Sequence, residues 1–147
     1  MSKVFYTKST AETERLAENI AGRLSPCVIA MTGDLGAGKT AFTRGLASGL
    51  GFCGEVSSPT FAIVHEYLGG RLPLYHFDMY RISGWEDLYS CGYFDYIEQK
   101  CIISVEWSEN ITAALPDSHV TVDIRRGERE CDRIITVGGV DVEDISC

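Results

Sequence analysis

The segment Gly33-Asp34-Leu35-Gly36-Ala37-Gly38-Lys39-Thr40 has the spacing G-x-x-x-x-G-K-T, and that spacing serves a definite chemistry. Glycines let the main chain curl so that successive N–H groups face one anion. A helix that begins where the curl ends adds its positive N-terminus. The Lys39 ammonium can reach the β- and γ-phosphates of a nucleoside triphosphate, and the Thr40 hydroxyl can ligate Mg²⁺. Main-chain contact to phosphate is also expected from Gly33, Gly36, Ala37, Gly38 and Ala41.

Phosphate chemistry at such a loop needs a carboxylate to hold the metal or its water. That acid belongs at the end of a buried strand beside the loop's own strand. Two residues fit. Glu106 ends the apolar run Cys101-Ile102-Ile103-Ser104-Val105, and Asp78 ends Leu74-Tyr75-His76-Phe77. Spacing alone leaves both open. Thr60 follows Pro59 in a loop beyond the phosphate-loop helix. It can sense the γ-phosphate and metal, or it can be a turn residue fixed by Pro59. His65 and His76 stand beside aromatic residues on strands and read as packed histidines rather than ligands. Trp85, Tyr89, Tyr93, Phe94 and Tyr96 read as core aromatics before they read as a partner surface.

The elements that position these residues follow from periodicity. Ser9-Thr10-Ala11-Glu12 has the form of a capping box, and Leu16, Ala17, Ile20, Ala21 and Leu24 recur at helical spacing after it. Cys27 to Thr32 is apolar on both alternating sets, as in a strand covered on both faces. Lys39 to Leu50 reads as a helix with Phe42, Leu46 and Leu50 on one side, and Gly49 and Gly51 mark its end. Strands are predicted over 61–67 and 72–77, joined across Gly69-Gly70 as a hairpin. Short helices broken at Gly92 are predicted over 85–96. Further strands are predicted over 101–105, 120–124 and 133–137. Alternating helices and buried strands imply an α/β fold: a single-domain P-loop NTPase, residues 1–147, with a mixed, mostly parallel central sheet flanked by helices.

Composition narrows the function. The formal net charge is −8, and a chain that grips nucleic acid by itself carries a basic face instead. Arg125, Arg126, Arg129 and Arg133 do cluster, but Glu128, Glu130 and Asp132 interrupt them, so the segment reads as a solvated strand-turn-strand. None of the six cysteines forms C-x-x-C, and no histidine has zinc-finger spacing. They read as reduced thiols, with Cys27 and Cys101 as small core hydrophobes. No apolar run is long enough to span a bilayer, and no secretory leader is evident. A cytoplasmic protein with no membrane or DNA partner is expected.

Four motifs in one order then identify a family. The phosphate loop, Ser58-Pro59-Thr60-Phe61, His76-Phe77-Asp78-Met79-Tyr80-Arg81 and Glu106-Trp107 together resemble the bacterial TsaE (YjeE) ATPases, from the first helix to about Leu115-Pro116. The resemblance implies binding of ATP and Mg²⁺ and slow hydrolysis to ADP, faster with the partner proteins TsaB and TsaD. It implies a role in threonylcarbamoylation of adenosine 37 in tRNAs that read ANN codons, with tRNA met only through the complex. Carried onto this chain, it makes Thr40 and Glu106 the Mg²⁺ ligands. It links Asp78 to hydrolysis, makes 58–60 a switch-like loop and puts Trp107 near the nucleotide. Thr10 and Glu12 become part of an adenine-side wall. Ala41 departs from the pattern, since many members carry Thr there. Rival readings are a small-molecule kinase, with Arg125 to Arg133 as its sole lid candidate, and a nucleotide-gated scaffold without turnover. A GTPase is disfavoured because [NT]-K-x-D is absent.

Overall fold

The stretch Cys27–Gly33, apolar on both sides, becomes the strand at the middle of the sheet. A computed structural model describes residues 2–34, 38–53 and 64–145. Its strands are β1 (Ser2–Thr7), β2 (Cys27–Gly33), β3 (Val64–Tyr67), β4 (Leu74–Asp78), β5 (Ile102–Glu106), β6 (Val120–Arg126) and β7 (Arg133–Gly138). They form one sheet in the order β1-β7-β6-β2-β5-β4-β3. The central pairs β6–β2, β2–β5 and β5–β4 are parallel. The outer pairs β1–β7, β7–β6 and β4–β3 are antiparallel. The helices are α1 (Thr10–Ala21), α2 (Lys39–Gly49), α3 (Trp85–Ser90) and α4 (Tyr93–Ile97), with a 3₁₀ helix over Ser108–Ala114. The expected α/β architecture, mixed and mostly parallel at its centre, is therefore present. No helix among the described residues is long and apolar enough to cross a membrane.

The alternation of strand side chains divides the interior in two. On one face Ile29, Met31, Leu74 and Ile102 pack with Leu16 and Ile20 of α1 and Phe42 and Leu46 of α2. On the other, Val28, Phe77, Ile103 and Val105 pack with Leu88 and Tyr93 from α3 and α4. Phe42, Leu46, Phe77 and Tyr93 are all fully buried. Each such side chain contributes about 1.5–3 kcal/mol relative to exposure.

Helices α1 and α2 lie closer than ordinary side chains allow. A methyl group on Gly45 would fall 2.3 Å from the Glu14 carbonyl oxygen, and one on Gly49 would fall 2.6 Å from that of Glu18. The two contacts advance together along both helices, so α1 and α2 run parallel. Arg44 bonds Glu14 across them at 3.1 Å. The same offset sets the first turn of α1 level with the first turn of α2. The start of α1 is capped as its sequence implies: the Ser9 hydroxyl accepts the Glu12 N–H at 3.1 Å, and the Glu12 carboxylate accepts the Lys8 N–H at 3.0 Å.

Three local expectations need correction. Ser2–Thr7 forms β1, which was not expected; its apolar Val4 and Tyr6 face outward and only Phe5 and Thr7 are buried, so apolar residues fall on both faces and the usual alternation is lost. The 3₁₀ helix over Ser108–Ala114 was likewise not expected. The hairpin of β3 and β4 is present as an antiparallel pair, but β4 begins at Leu74 rather than Leu72, so its connection is longer than expected. Arg71 in that connection donates to the Ala21 and Leu24 carbonyls at 3.0 Å each, closing the C-terminal end of α1. The expected strand residues Phe61, Ala62 and Ile63 lie outside the described residues.

Candidate functional site

The site is assembled at the carboxyl ends of β2, β4 and β5. Parallel register makes Met31 the neighbour of Glu106, and Glu106 the neighbour of Asp78. Residues in register share a face of the sheet. Both acids therefore stand on the face that α2 covers, at the same end as Gly33. The two carboxylate candidates left open by the sequence are adjacent.

Helix α2 starts at Gly38, whose φ of 104° and ψ of 18° suit glycine, and no side chain caps the helix there. Its first internal bond runs from the Phe42 N–H to the Gly38 carbonyl at 3.0 Å. The N–H groups of Lys39, Thr40 and Ala41 precede that bond and lack carbonyl partners within the helix. Ala41 is buried on the core side, whereas Thr40 is exposed. Gly33 ends β2 against β6, and the next residue, Asp34, donates its N–H to the Ile124 carbonyl at 3.1 Å. Leu35, Gly36 and Ala37 lie outside the described residues, as does the loop holding Thr60.

Lys39 is buried to 7% exposure, and its ammonium lies 5.1 Å from the centroid of the Trp107 ring. Such a cation–π contact contributes ~0.5–2 kcal/mol. The Trp107 ring also meets Tyr80, with centroids 5.0 Å apart. Trp107 is the one non-glycine residue with positive φ among those described, at 58°. That conformation costs ~1–2 kcal/mol and turns the chain sharply just after Glu106. Ser108 then anchors it, donating its hydroxyl to the Met31 carbonyl at 3.1 Å.

Glu106 is largely buried and bonded to His76, Nε2 to Oε2, at 3.0 Å. Burial is the largest single influence on this carboxyl and pushes it up. The hydrogen bond and charge of His76, with Lys39 and His65, outweigh burial and hold Glu106 below the usual carboxylate range. Asp78 is exposed; its Oδ1 accepts the Tyr80 N–H at 3.0 Å, and the next residue, Met79, donates to the Glu106 carbonyl at 3.0 Å. The two acids therefore differ: Glu106 is enclosed and held by a histidine, and Asp78 faces water.

Thr10 is exposed on the first turn of α1, level with the start of α2, and Glu12 beside it is already engaged in capping. The hydrogen bonding gives Glu12 a structural task at the start of α1.

Some residues were missed. His76 reads from sequence as a packed histidine; it is buried, and it also holds Glu106. The signal was available: His76 and Ser104 each stand two residues before a candidate acid, and period-two alternation puts them on the acids' face. Asp123 of β6 accepts from Thr32 at 2.7 Å and from Arg125 at 3.0 Å, tying β6 to the end of β2. Arg133 comes near the loop, its Nε 3.7 Å from where a methyl on Gly38 would stand. The arginine-rich segment is otherwise the strand-turn-strand expected, with Arg126 paired to Arg133.

Comparison with known proteins gives the chain a family and a solved structure of similar fold. A family model described as Threonylcarbamoyl adenosine biosynthesis protein TsaE matches residues 7–135. The tRNA threonylcarbamoyladenosine biosynthesis protein TsaE of Bacillus subtilis is 43% identical over 129 residues, 84% of this chain and 80% of that one. The protein of the same name from Treponema pallidum is 38% identical over 121 residues, 81% of this chain and 88% of that one. A crystal structure of Bacillus subtilis YdiB superposes with a TM-score of 0.77 at 35% identity, covering 96% of this chain and 87% of that one.

Proposed function

The chain belongs to the TsaE family, and from that premise we propose that it is an ATPase subunit supporting threonylcarbamoylation of adenosine 37 in tRNAs that read ANN codons. The observation that carries the reading is the meeting of an uncapped α2 N-terminus and Lys39 with two carboxylates in register at the ends of β4 and β5. An ATP triphosphate fits there: main-chain N–H groups and the Lys39 ammonium face it from one side.

A Mg²⁺ ion fits the donor set. Among the described residues no three His, Cys, Asp or Glu side chains form a metal cage. Mg²⁺ characteristically takes one or two protein ligands and completes its shell with phosphate oxygens and water. Thr40 and Glu106 are the residues that would hold it. When bound, the ion offsets charge on the β- and γ-phosphate oxygens.

In the proposed reaction a water attacks the γ-phosphorus and ADP leaves. Lys39 moves from the Trp107 face to the phosphates and stabilises their charge. Exposed Asp78, anchored by the Tyr80 N–H, orients the attacking water. Enclosed Glu106 keeps its charge, because His76 and Lys39 outweigh burial. The partners are TsaB and TsaD, which this subunit resets for further turnovers, and tRNA is met through that complex. The net charge of −8 supports an indirect contact with tRNA.

The test is steady-state ATP hydrolysis and tRNA threonylcarbamoylation with TsaB and TsaD present. Lys39→Ala and Asp78→Ala are expected to lower hydrolysis by at least ~10²-fold, the scale of a lost electrostatic or acid–base contribution. Unchanged rates in both variants would remove the assignment.

A further inference from the structure

We propose that His76 is a positioning residue that orients Glu106 for Mg²⁺. The proposal rests on the assignment of Glu106 given above and concerns how that carboxylate is kept in place.

The imidazole is buried and held at both nitrogens. Nε2 lies 3.0 Å from Glu106 Oε2, and Nδ1 lies 3.2 Å from Ser104 Oγ. The Ser104 hydroxyl lies in turn 2.9 Å from Met31 Sδ. A carboxylate only accepts, so the hydrogen between His76 and Glu106 belongs to Nε2. In that tautomer Nδ1 accepts, so the single Ser104 hydrogen is donated to Nδ1 and grips the far side of the ring, with the Met31 sulfur in contact behind the hydroxyl. Register supports the same placement, because His76 pairs with Ser104 where Asp78 pairs with Glu106.

Two consequences follow. Oε2 of Glu106 is committed to His76, which restrains the carboxylate and leaves Oε1 as the oxygen for a metal. The restraint is also rigid, because His76, Ser104 and Met31 all lie on buried strands. Partners that orient a metal-binding group in this way typically change metal affinity or activity by ~10–100-fold when lost.

The experiment uses the full chain with TsaB and TsaD and the variants His76→Gln, His76→Asn and His76→Leu. A glutamine amide reaches the place of Nε2; an asparagine amide reaches only that of Nδ1. Three quantities are read: nucleotide affinity without Mg²⁺, the free Mg²⁺ that half-saturates its effect on nucleotide binding, and kcat against KM for ATP. His76→Gln is expected to stay near the wild-type Mg²⁺ requirement. His76→Asn and His76→Leu are expected to raise it ~10-fold or more and to lower kcat, with Mg²⁺-free affinity unchanged. A folded His76→Asn protein with the wild-type Mg²⁺ requirement overturns the proposal, as does a His76→Gln protein no better than His76→Leu. If the Asn and Leu proteins do not fold, Ser104→Ala frees the far side of the ring and should raise the requirement several-fold. No shift there overturns the proposal too. A wild-type protein whose nucleotide binding ignores Mg²⁺ removes the underlying assignment and the proposal together.

Discussion

Replacing Gly45 by alanine tests whether the contact between α1 and α2 is as close as the structure has it. Alanine in place of glycine inside a helix ordinarily stabilises it by about 0.8–1 kcal/mol. At Gly45 the added methyl would fall 2.3 Å from the Glu14 oxygen and 2.6 Å from the Ala17 Cβ. Both are more than about 1 Å inside ordinary carbon contact distances. One obstacle is main chain, so the helices must separate. Overpacking of this kind costs about 1–3 kcal/mol and more where backbone has to move, which outweighs the propensity gain at the upper end of that range. We expect a net loss of about 1–2 kcal/mol, which in a domain of this size is a fall of about 2–8 °C in Tm. Gly22→Ala is the control. Gly22 has a right-handed backbone, with φ at −65°, and its nearest neighbour would be 3.5 Å away. It should gain about 0.4–1 kcal/mol. Thermal and urea melts of both proteins read the opposite signs. A Gly45→Ala protein that melts at or above wild type would refute the close contact, and with it the placing of Thr10 level with the first turn of α2.

Other expectations concern single residues. Glycine at position 107 should be more stable than alanine there by about 1 kcal/mol, because the φ of 58° penalises a Cβ; a comparison of the two melts decides it. Ser9→Ala removes the acceptor for the Glu12 N–H and should cost about 1 kcal/mol of stability, measured by urea denaturation. Asp123 is held below the usual carboxylate range: burial acts upward, but Arg125, Thr32 and Lys39 outweigh it. A depressed carboxyl contributes stability above its unfolded pKa, near 4, and loses it as pH falls through the folded value. The stability gap between wild type and Asp123→Asn should therefore narrow below about pH 4; a gap that widens there would contradict the pairing.

How much was legible in the sequence depends on how local each requirement is. The phosphate loop is written in eight consecutive residues because one turn of chain performs the chemistry. Helix α1, strand β2 and helix α2 show in periodicity, since each buries one stripe or two full faces. Strand β1 escaped because its core contribution is Phe5 and Thr7, while Val4 and Tyr6 point outward; pairing with β7 holds it rather than pattern. Glu106 and Asp78 were legible as strand-end acids, but not as neighbours. Adjacency depends on β5 lying between β2 and β4, which the order of the chain does not reveal. His76 was legible as a packed histidine but not as the partner of Glu106, for the same reason: that partner lies 30 residues away.

The far side of the sheet decides the geometry of the near side. A strand slipped by one residue exchanges its faces. Were β5 to slip so, Glu106 would turn toward α3 and α4, and Val105 would stand where α2 covers the acids. What prevents this is Ile103 and Val105, buried to 1% and 0% exposure against Phe77, Leu88 and Tyr93. A slip would crowd Ile103 and Val105 onto the face already filled by α1 and α2, where overpacking costs about 1–3 kcal/mol, while the charged Glu106 would enter an apolar cluster without His76. Residues that never meet a phosphate thus hold Glu106 beside Met31 and Asp78. Cavity-forming changes at Val105 should therefore disturb the Mg²⁺ requirement as well as stability, whereas equal cavities at Val137, between β1 and β6, should disturb stability alone.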